Sequence, residues 1–263
     1  MSLTPQILLS INLPTRPAVQ EGYVQARDTI RDRLLRELEK NGFAATWIVH
    51  DHQLQDTYEL LQKADSPQEF SVFVDTTNNS TQRKKLSSQL TNLMERSRNM
   101  GVRVTTLSVN QRIDESNLNL LVRNKISLVN YFCGTRRNLR SVKSLEPSSL
   151  RFGIWEVPTP LQWVQQLSNP VRELVLKSVI RFKSKRPLQH IQIDIQSMLE
   201  NKTPVTKFGK LLQAFQRMRR QGRIDVTPIR SSTTLLRQLQ IRESTHLPAA
   251  LSALGVRAIS PTS

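Results

Sequence analysis

Short apolar runs alternate with amphipathic helical patterns along most of the 263-residue chain, and this alternation constrains its fold more than any other feature. Ile7–Leu13 is typical of a buried strand, and Val24–Asn41 has apolar residues at helical spacing before an Asn-Gly stop. The strand and helix pattern then repeats. The repeats predict strands at Phe43–Val49, Glu69–Val74 and Val102–Val109, and helices at Gln53–Ala64 and Thr81–Asn99.

The alternation continues past the middle of the chain, and no linker separates two domains there. A short helix at Asn117–Asn124 precedes a strand at Ile126–Phe132, and a basic, aperiodic loop covers residues 134–151. The later predicted elements are strands at Phe152–Val157, Leu188–Ile195 and Arg223–Pro228, and a basic amphipathic helix at Lys207–Gln221.

Repeated strand and helix units predict an α/β fold with a parallel sheet. About seven such strands without a linker favour a distorted (β/α) barrel over an open, doubly wound sheet. We expect this barrel to cover residues 1–230, followed by a tail at 231–263 that is partly helical or disordered. In a barrel of this kind, functional side chains lie at the carboxyl ends of the strands.

Positive charge is concentrated in the second half of the chain. Residues 1–130 hold 16 Lys+Arg against 14 Asp+Glu, whereas residues 131–263 hold 22 against 7. Nucleic acid, anionic lipid headgroups and acidic polysaccharide would all respond to such a field, although a solvated basic face is the plainer interpretation. No nucleic-acid-binding motif is present. The candidate binding residues are Arg136, Arg137, Arg217, Arg219, Arg220 and, as a surface aromatic, Trp163.

Other features exclude several classes of protein. Cys133 is the single cysteine, so the chain forms no internal disulfide and no cysteine-based metal cluster, and we predict a cytoplasmic location. We interpret Cys133 as a small buried residue, since no nucleophile motif surrounds it. The apolar stretches are too short to span a membrane, and no signal-peptide pattern is found. Glycine-rich phosphate loops are absent from the sequence.

Three segments together resemble the polysaccharide deacetylase family, which shares the chitooligosaccharide deacetylase homology domain. They are LLRELEKNGFAATWIV at 34–49, FGIWEVPTP at 152–160, and HIQID at 190–194 with QGRIDVTPI at 221–229. Members of that family remove acetyl groups from N-acetylated sugars with a bound metal ion. The resemblance implies their distorted (β/α) barrel of about seven strands for this chain.

The positions that the resemblance assigns to catalysis carry unsuitable side chains. The family's base and first metal ligand are two Asp residues at the end of the first strand, where this chain has Asn12 and Leu13. Its two metal-binding His residues correspond to Phe73 and Thr77. The family's Arg-x-Pro loop is replaced by residues 108–111, with Arg112 as a substitute further on. The late His of the family falls near His190 or Asp194.

We therefore interpret the chain as a pseudoenzyme without a metal cofactor, because the base and the metal ligands that would activate water are missing. It would bind a carbohydrate or another anionic polymer, or regulate protein partners in polysaccharide metabolism. The alternative is an active, metal-dependent N-deacetylase that holds zinc or another divalent ion in a relocated site. The candidate residues for that site would be His50, His52, Asp75 and His190, although we interpret His50 and His52 more plainly as loop histidines in solvent.

Overall fold

The computed structural model describes residues 4–13, 21–76, 82–132, 147–159, 188–202 and 204–238. The strands are β1 (Gln6–Asn12), β2 (Thr46–Val49), β3 (Glu69–Val74), β4 (Thr106–Val109), β5 (Leu128–Phe132), β6 (Ser148–Ser149), β7 (Trp155–Thr159), β8 (Leu188–Asp194) and β9 (Asp225–Thr227). The helices are α1 (Glu21–Lys40), α2 (Leu54–Gln62), α3 (Gln82–Asn99), α4 (Leu118–Arg123), α5 (Ile195–Glu200) and α6 (Val205–Arg220), and residues 233–238 are also helical.

All these strands belong to one sheet in the order β6-β7-β5-β4-β3-β2-β1-β8, with β9 paired to β1. Every pairing is parallel except that of β6 with β7. β1 pairs along its whole length with β8, while its other edge pairs first with β9 and then with β2. The sheet curls into a distorted half-barrel, which confirms the predicted α/β fold.

The two faces of the sheet bury different apolar clusters. Neighbours in a parallel ladder share a face, so Leu8 and its partner His190 point into the barrel, whereas Ile7 and Leu9 point toward the helices. The outer cluster contains Trp47 and the inner cluster contains Trp155, so both tryptophans are packed in the core. The inner cluster consists of Leu8, Leu128, Trp155, Val157, Leu188, Ile229, Leu235 and Leu236.

Leu235 and Leu236 close the lower end of the barrel, at the amino ends of the strands. Both are buried among inner-face side chains, although we expect the tail to begin at residue 231. Residues 231–238 therefore contribute to the barrel core, and the position of the domain boundary stays a prediction.

The described strands leave a seam between β8, at one end of the strand order, and β7, next to the last strand at the other end. His190 of β8 bridges this seam, since its Nδ1 lies 3.3 Å from both Pro158 O and Thr159 Oγ1 of β7. Its Nε2 lies 2.8 Å from Ser10 Oγ of β1. One imidazole thus links three strands across the point where the barrel is not closed by backbone hydrogen bonds.

Phe152 lies outside the strand in which we predicted it. Residues Arg151–Gly153 form a 3-10 turn, and Phe152 has a φ of 63°, a left-handed conformation that a bulky residue rarely adopts. The strand begins only at Trp155. Apolar character extends through this turn, which is why the pattern placed the boundary too early. No helix in the described part of the chain has the length and apolar character of a membrane span.

Candidate functional site: the mouth of the barrel

We call the end of the barrel at which the parallel strands finish its mouth. There the carboxyl ends of β1 and β8 bring Asn12 and Asp194 together. The two residues are register partners, and Asn12 Nδ2 donates a hydrogen bond of 2.9 Å to Asp194 Oδ1. The other carboxylate oxygen of Asp194 accepts from the backbone N and the Oγ of Ser197, at 2.9 and 2.6 Å, and so caps α5. Asn12 Oδ1 is buried and has no hydrogen-bond partner within the described residues.

Leu13 occupies the position that the resemblance assigns to a metal ligand, but its side chain does not face the mouth. It is buried in the cluster between the sheet and the helices, and its backbone N donates to Ile48 O at 3.1 Å. Phe73, at the first predicted histidine position, packs its ring 4.5 Å from that of His50. Thr77, at the second, lies outside the described residues.

His50 is buried, so the prediction of two solvated loop histidines is wrong for this residue. Burial and the neighbouring His52 lower the pKa of His50 to about 4, against a hydrogen bond to the backbone of Leu13 that raises it. Its Nε2 has no partner within the described residues. His52 is exposed, and its ring centroid lies 6.1 Å from that of His50.

Asp75 belongs to a different group from the two histidines. Asn110 donates from Nδ2 to Asp75 Oδ1 at 2.6 Å, and its Oδ1 accepts from Thr76 N and Oγ1, both at 2.8 Å. These residues join the loops after β3 and β4. Asp75 also lines a cleft of about 440 Å³ beside α3, together with Asp51, which pairs with Arg96.

Among the described residues, no group of three His, Cys, Asp or Glu is arranged to hold a metal ion. The family resemblance places the ligands of a divalent ion at the ends of β1 and β3. Here Leu13 faces the helices, Phe73 offers no lone pair, and Asp194 is engaged by an amide and a helix end. The residues present at these positions do not fit a metal ion.

Arg112, the predicted substitute for the orienting arginine, lies on the outer side of the sheet. Its Nε is 3.1 Å from Glu156 Oε2, its Nη2 donates to Tyr131 OH at 3.2 Å, and its guanidinium lies over the Tyr131 ring. Tyr131 belongs to the outer cluster. Burial raises the pKa of Glu156, which the Arg112 cation opposes. Arg112 therefore does not orient the residues at the mouth of the barrel.

His190 also lies away from the mouth. It is four residues before Asp194 on β8, or roughly 13 Å down the strand. Burial lowers its pKa to about 4, so the ring is neutral near pH 7. A neutral ring enclosed among Ser10, Thr159 and Pro158 supports the barrel and does not reach a ligand at the strand ends.

The predicted basic residues lie at the opposite end of the barrel. Arg217, Arg219 and Arg220 occupy the last turn of α6, beside the amino ends of the strands. Arg219 donates to Gly42 O at 3.2 Å and pairs with Asp225 at 3.4 Å. The other predicted binding residues, Arg136, Arg137 and Trp163, and the cysteine Cys133 lie outside the described residues.

Polar residues on the inner face of the barrel escaped the sequence analysis. Ser71 Oγ and Ser108 Oγ lie 2.7 Å apart, and Asn130 Nδ2 donates to Ser108 Oγ at 3.4 Å. Gln192, next to Ser10 in the ladder, is fully buried, and both its amide atoms lack partners within the described residues. The sequence signal that could have revealed these residues is a polar residue within an otherwise apolar strand, repeated in several strands.

Comparison with solved structures identifies proteins that share this fold. A protein from Mycobacterium smegmatis assigned as a polysaccharide deacetylase matches with a TM-score of 0.67 at 13% identity, over 90% of this chain and 92% of that chain. Puue allantoinase matches with a TM-score of 0.61 at 8% identity, over 87% and 89%. A CE4 family pseudoenzyme from Bacillus anthracis matches with a TM-score of 0.53 at 13% identity, over 88% and 66%.

No family model and no curated protein matches the sequence. At identities this low, the structural likeness defines the fold alone. The chain has the fold of the polysaccharide deacetylases, as the resemblance of its three segments implied.

Proposed function

We propose that this chain is a catalytically inactive, polysaccharide deacetylase-like protein that binds a carbohydrate at the mouth of its barrel. The observation that carries the proposal is the pairing of Asn12 with Asp194. Deacetylation needs a base that accepts a proton from water and a metal ion that polarises the acetyl carbonyl. An amide stands in place of the base, and the adjacent carboxylate is already used by that amide and by α5.

The same mouth offers groups suited to sugar hydroxyls. Asn12 Oδ1 is a buried acceptor without a partner in the described part of the chain, and an unmet acceptor at a strand end favours a donor from a ligand. Asp75 and Asn110 supply further polar atoms on neighbouring loops. Phe73 is partly exposed beside them, and an aromatic ring is a good surface for the apolar face of a sugar.

Binding is tested by titrating the protein with oligomers of N-acetylglucosamine in a calorimeter. The proposal predicts binding that weakens about tenfold in Asn12→Ala, because one buried hydrogen bond is lost. Asn119→Ala, an exposed change on α4, is the matched control and should bind as wild type does. Equal affinities in both variants, or no binding by the wild type, would overturn the proposed sugar site.

Inactivity is tested separately. Protein purified without chelator should carry far less than one equivalent of zinc, cobalt or nickel, and should release no acetate from the same oligomers. Acetate release together with a stoichiometric metal that is lost in His50→Ala/His52→Ala would instead establish the alternative, an active deacetylase with a relocated site. The predicted cytoplasmic location and the regulatory role toward protein partners stay predictions.

A further inference from the structure

Exposed basic residues outnumber exposed acidic ones at the amino ends of the described strands, where Asp65 is an exposed acidic exception. The segments that precede six strands each carry an exposed basic residue: Lys40, Lys63, Arg103, Lys125, Arg151 and Arg223. The loops that follow β2, β3 and β4 carry the exposed carboxylates Asp51, Asp75 and Asp114, together with the exposed Arg112 in the loop after β4. We call the end with the basic residues the amino rim. Since it surrounds the strand starts, its cations spread over a face and do not follow one groove.

Part of this pattern has a simple explanation. The helices run antiparallel to the strands, so their carboxyl ends and partial negative charges lie at the amino rim, where cations stabilise them. Lys40 is the last residue of α1 and has this role. Lys63 is the C-cap of α2 and Lys125 follows the C-cap of α4, so the same explanation covers them. Arg103, Arg151 and Arg223 lie in connecting segments beyond the helix caps, and the helix dipole does not account for them.

Two large apolar side chains are exposed on the same rim. Phe152 is 69% exposed and Val122 is 47% exposed, and these are the large apolar residues that stand out in the described surface. Both have cationic neighbours in sequence, Arg151 beside Phe152 and Arg123 beside Val122. The turn at 151–153 contacts α4, the helix that carries Val122, so the two apolar side chains belong to one region. Arg151 Nε also lies 3.8 Å from Oε2 of Glu115, in the loop between β4 and α4.

The backbone holds Phe152 outward at a conformational cost. Its φ of 63° is left-handed, and Gly153 beside it has a φ of 72°. A bulky residue in that region is strained, and strain of this kind persists at sites where it serves a function. Nothing in the fold requires an aromatic ring here, since Asn or Gly would fit the turn better.

We propose that the amino rim docks on an anionic lipid bilayer, with Phe152 and Val122 inserted at the boundary between headgroups and acyl chains. Cations spread over a face match a planar anionic surface, and each Lys or Arg close to that surface adds to the attraction. A soluble polyanion would neutralise the cations but would leave Phe152 in water. An interface that is charged outside and apolar within accommodates both kinds of side chain.

The experiment is sedimentation of the full chain with vesicles of equimolar phosphatidylcholine and phosphatidylglycerol, with pure phosphatidylcholine vesicles as the uncharged comparison. Wild type should bind the mixed vesicles and not the uncharged ones. Phe152→Asn, which suits a left-handed backbone, should weaken binding about tenfold while the melting temperature stays equal or rises. Arg123→Gln/Lys125→Asn/Arg151→Gln should weaken binding by more than about tenfold.

A matched control removes three cations far from the amino rim. Arg33→Gln/Lys84→Gln/Lys202→Asn has the same net charge as the rim variant and should keep most of the vesicle binding. Equal losses in the two triple variants would show attraction by net charge alone and overturn the proposal. It would also be overturned if Phe152→Asn bound vesicles like wild type, since a purely ionic surface would serve acidic glycans or nucleic acid equally well.

Discussion

Asn12 shows how one side chain decides what the mouth of the barrel can do. Its amide donates to Asp194, and this bond joins the ends of the strands that lie 182 residues apart in the sequence. A carboxylate at this position would face a second carboxylate at hydrogen-bond distance. Two such groups cannot both ionise readily, and the pKa of one of them rises.

Asn12→Asp should therefore make stability fall as pH rises. The folded-state pKa of the shared pair lies above that of an ordinary carboxyl, so the extra stability present at low pH is lost as pH rises through that raised pKa. We expect roughly 1–3 kcal/mol of loss relative to wild type at pH 7, measured by urea unfolding. The exchanged pair Asn12→Asp/Asp194→Asn restores one amide and one carboxylate, and should remove this pH dependence; persistence of the effect in it would refute the explanation.

His50 and His190 give the wild type an opposite dependence on pH. Both pKa values lie near 4 in the folded state, below the ordinary 6.5, so the unfolded chain takes up protons first as pH falls. Stability that is complete above pH 6.5 is lost between 6.5 and 4. Each histidine should account for about 2 kcal/mol between pH 7 and pH 5.

Urea unfolding at several pH values measures this slope. His190→Gln should lower the free energy of unfolding at pH 7, because the bridge across the seam is lost, yet its stability should fall less steeply toward pH 5. His52→Gln is the exposed control and should keep most of the slope. An unchanged slope in His190→Gln would show that this imidazole is not the group that resists protonation.

At the level of secondary structure, α6 packs closely on α1 through Gly209. A Cβ built on Gly209 would lie 2.5 Å from Glu37 Oε2 and 3.0 Å from Glu37 Cδ. The obstacle is the end of a flexible side chain, which can rotate away. The glycine leaves room for the Glu37 side chain where the two helices meet, and its backbone conformation does not require glycine.

Gly209→Ala should change the free energy of unfolding by less than about 1 kcal/mol, since the helix propensity gained offsets the displacement of Glu37. Gly209→Val, which adds two more carbons at the contact, should cost roughly 1–3 kcal/mol. Chemical denaturation provides the measurement. In a Glu37→Ala background the alanine variant should become stabilising, and a large loss from Gly209→Ala there would contradict this account of the contact.

The elements themselves were largely predictable from local pattern. β3 has the bounds that its apolar run predicted, and α1 and α6 follow their helical spacing, because such patterns arise from side chains a few residues apart. The candidate site was harder to predict from the sequence. The burial of His50 depends on Phe73 from another strand, and the pairing of Asn12 depends on a residue near the other end of the chain.

For the whole molecule, the barrel separates a polar mouth from a basic amino rim. Of the three basic residues Arg217, Arg219 and Arg220 at the end of α6, Arg219 cannot be reversed to Glu without harm to the fold. Arg219 lies over the Phe43 ring and pairs with Asp225, so Glu in its place would face a like charge. Arg217 and Arg220 are exposed at the helix end and form no ion pair with another described residue.

Arg217→Glu/Arg220→Glu should elute from immobilised heparin at lower salt than wild type, with its melting temperature nearly unchanged. Loss of cationic contacts lowers both the affinity and its dependence on salt. Arg33→Glu/Lys84→Glu carries the same net charge and should elute close to wild type if the rim is the contact surface. Co-elution of the two double variants would assign retention to net charge and leave α6 as an ordinary solvated helix.

The pairing of β1 has a consequence for how the chain acquires its structure. This strand is synthesised before the other described strands, yet two of its three partners, β8 and β9, come from the last third of the described chain. Its apolar edge must stay unpaired until those segments are synthesised, and contacts between distant residues form slowly. The barrel should consequently complete its folding only after β8 and β9 have been synthesised. The yield of folded protein should depend on whether β1 avoids wrong pairing until then.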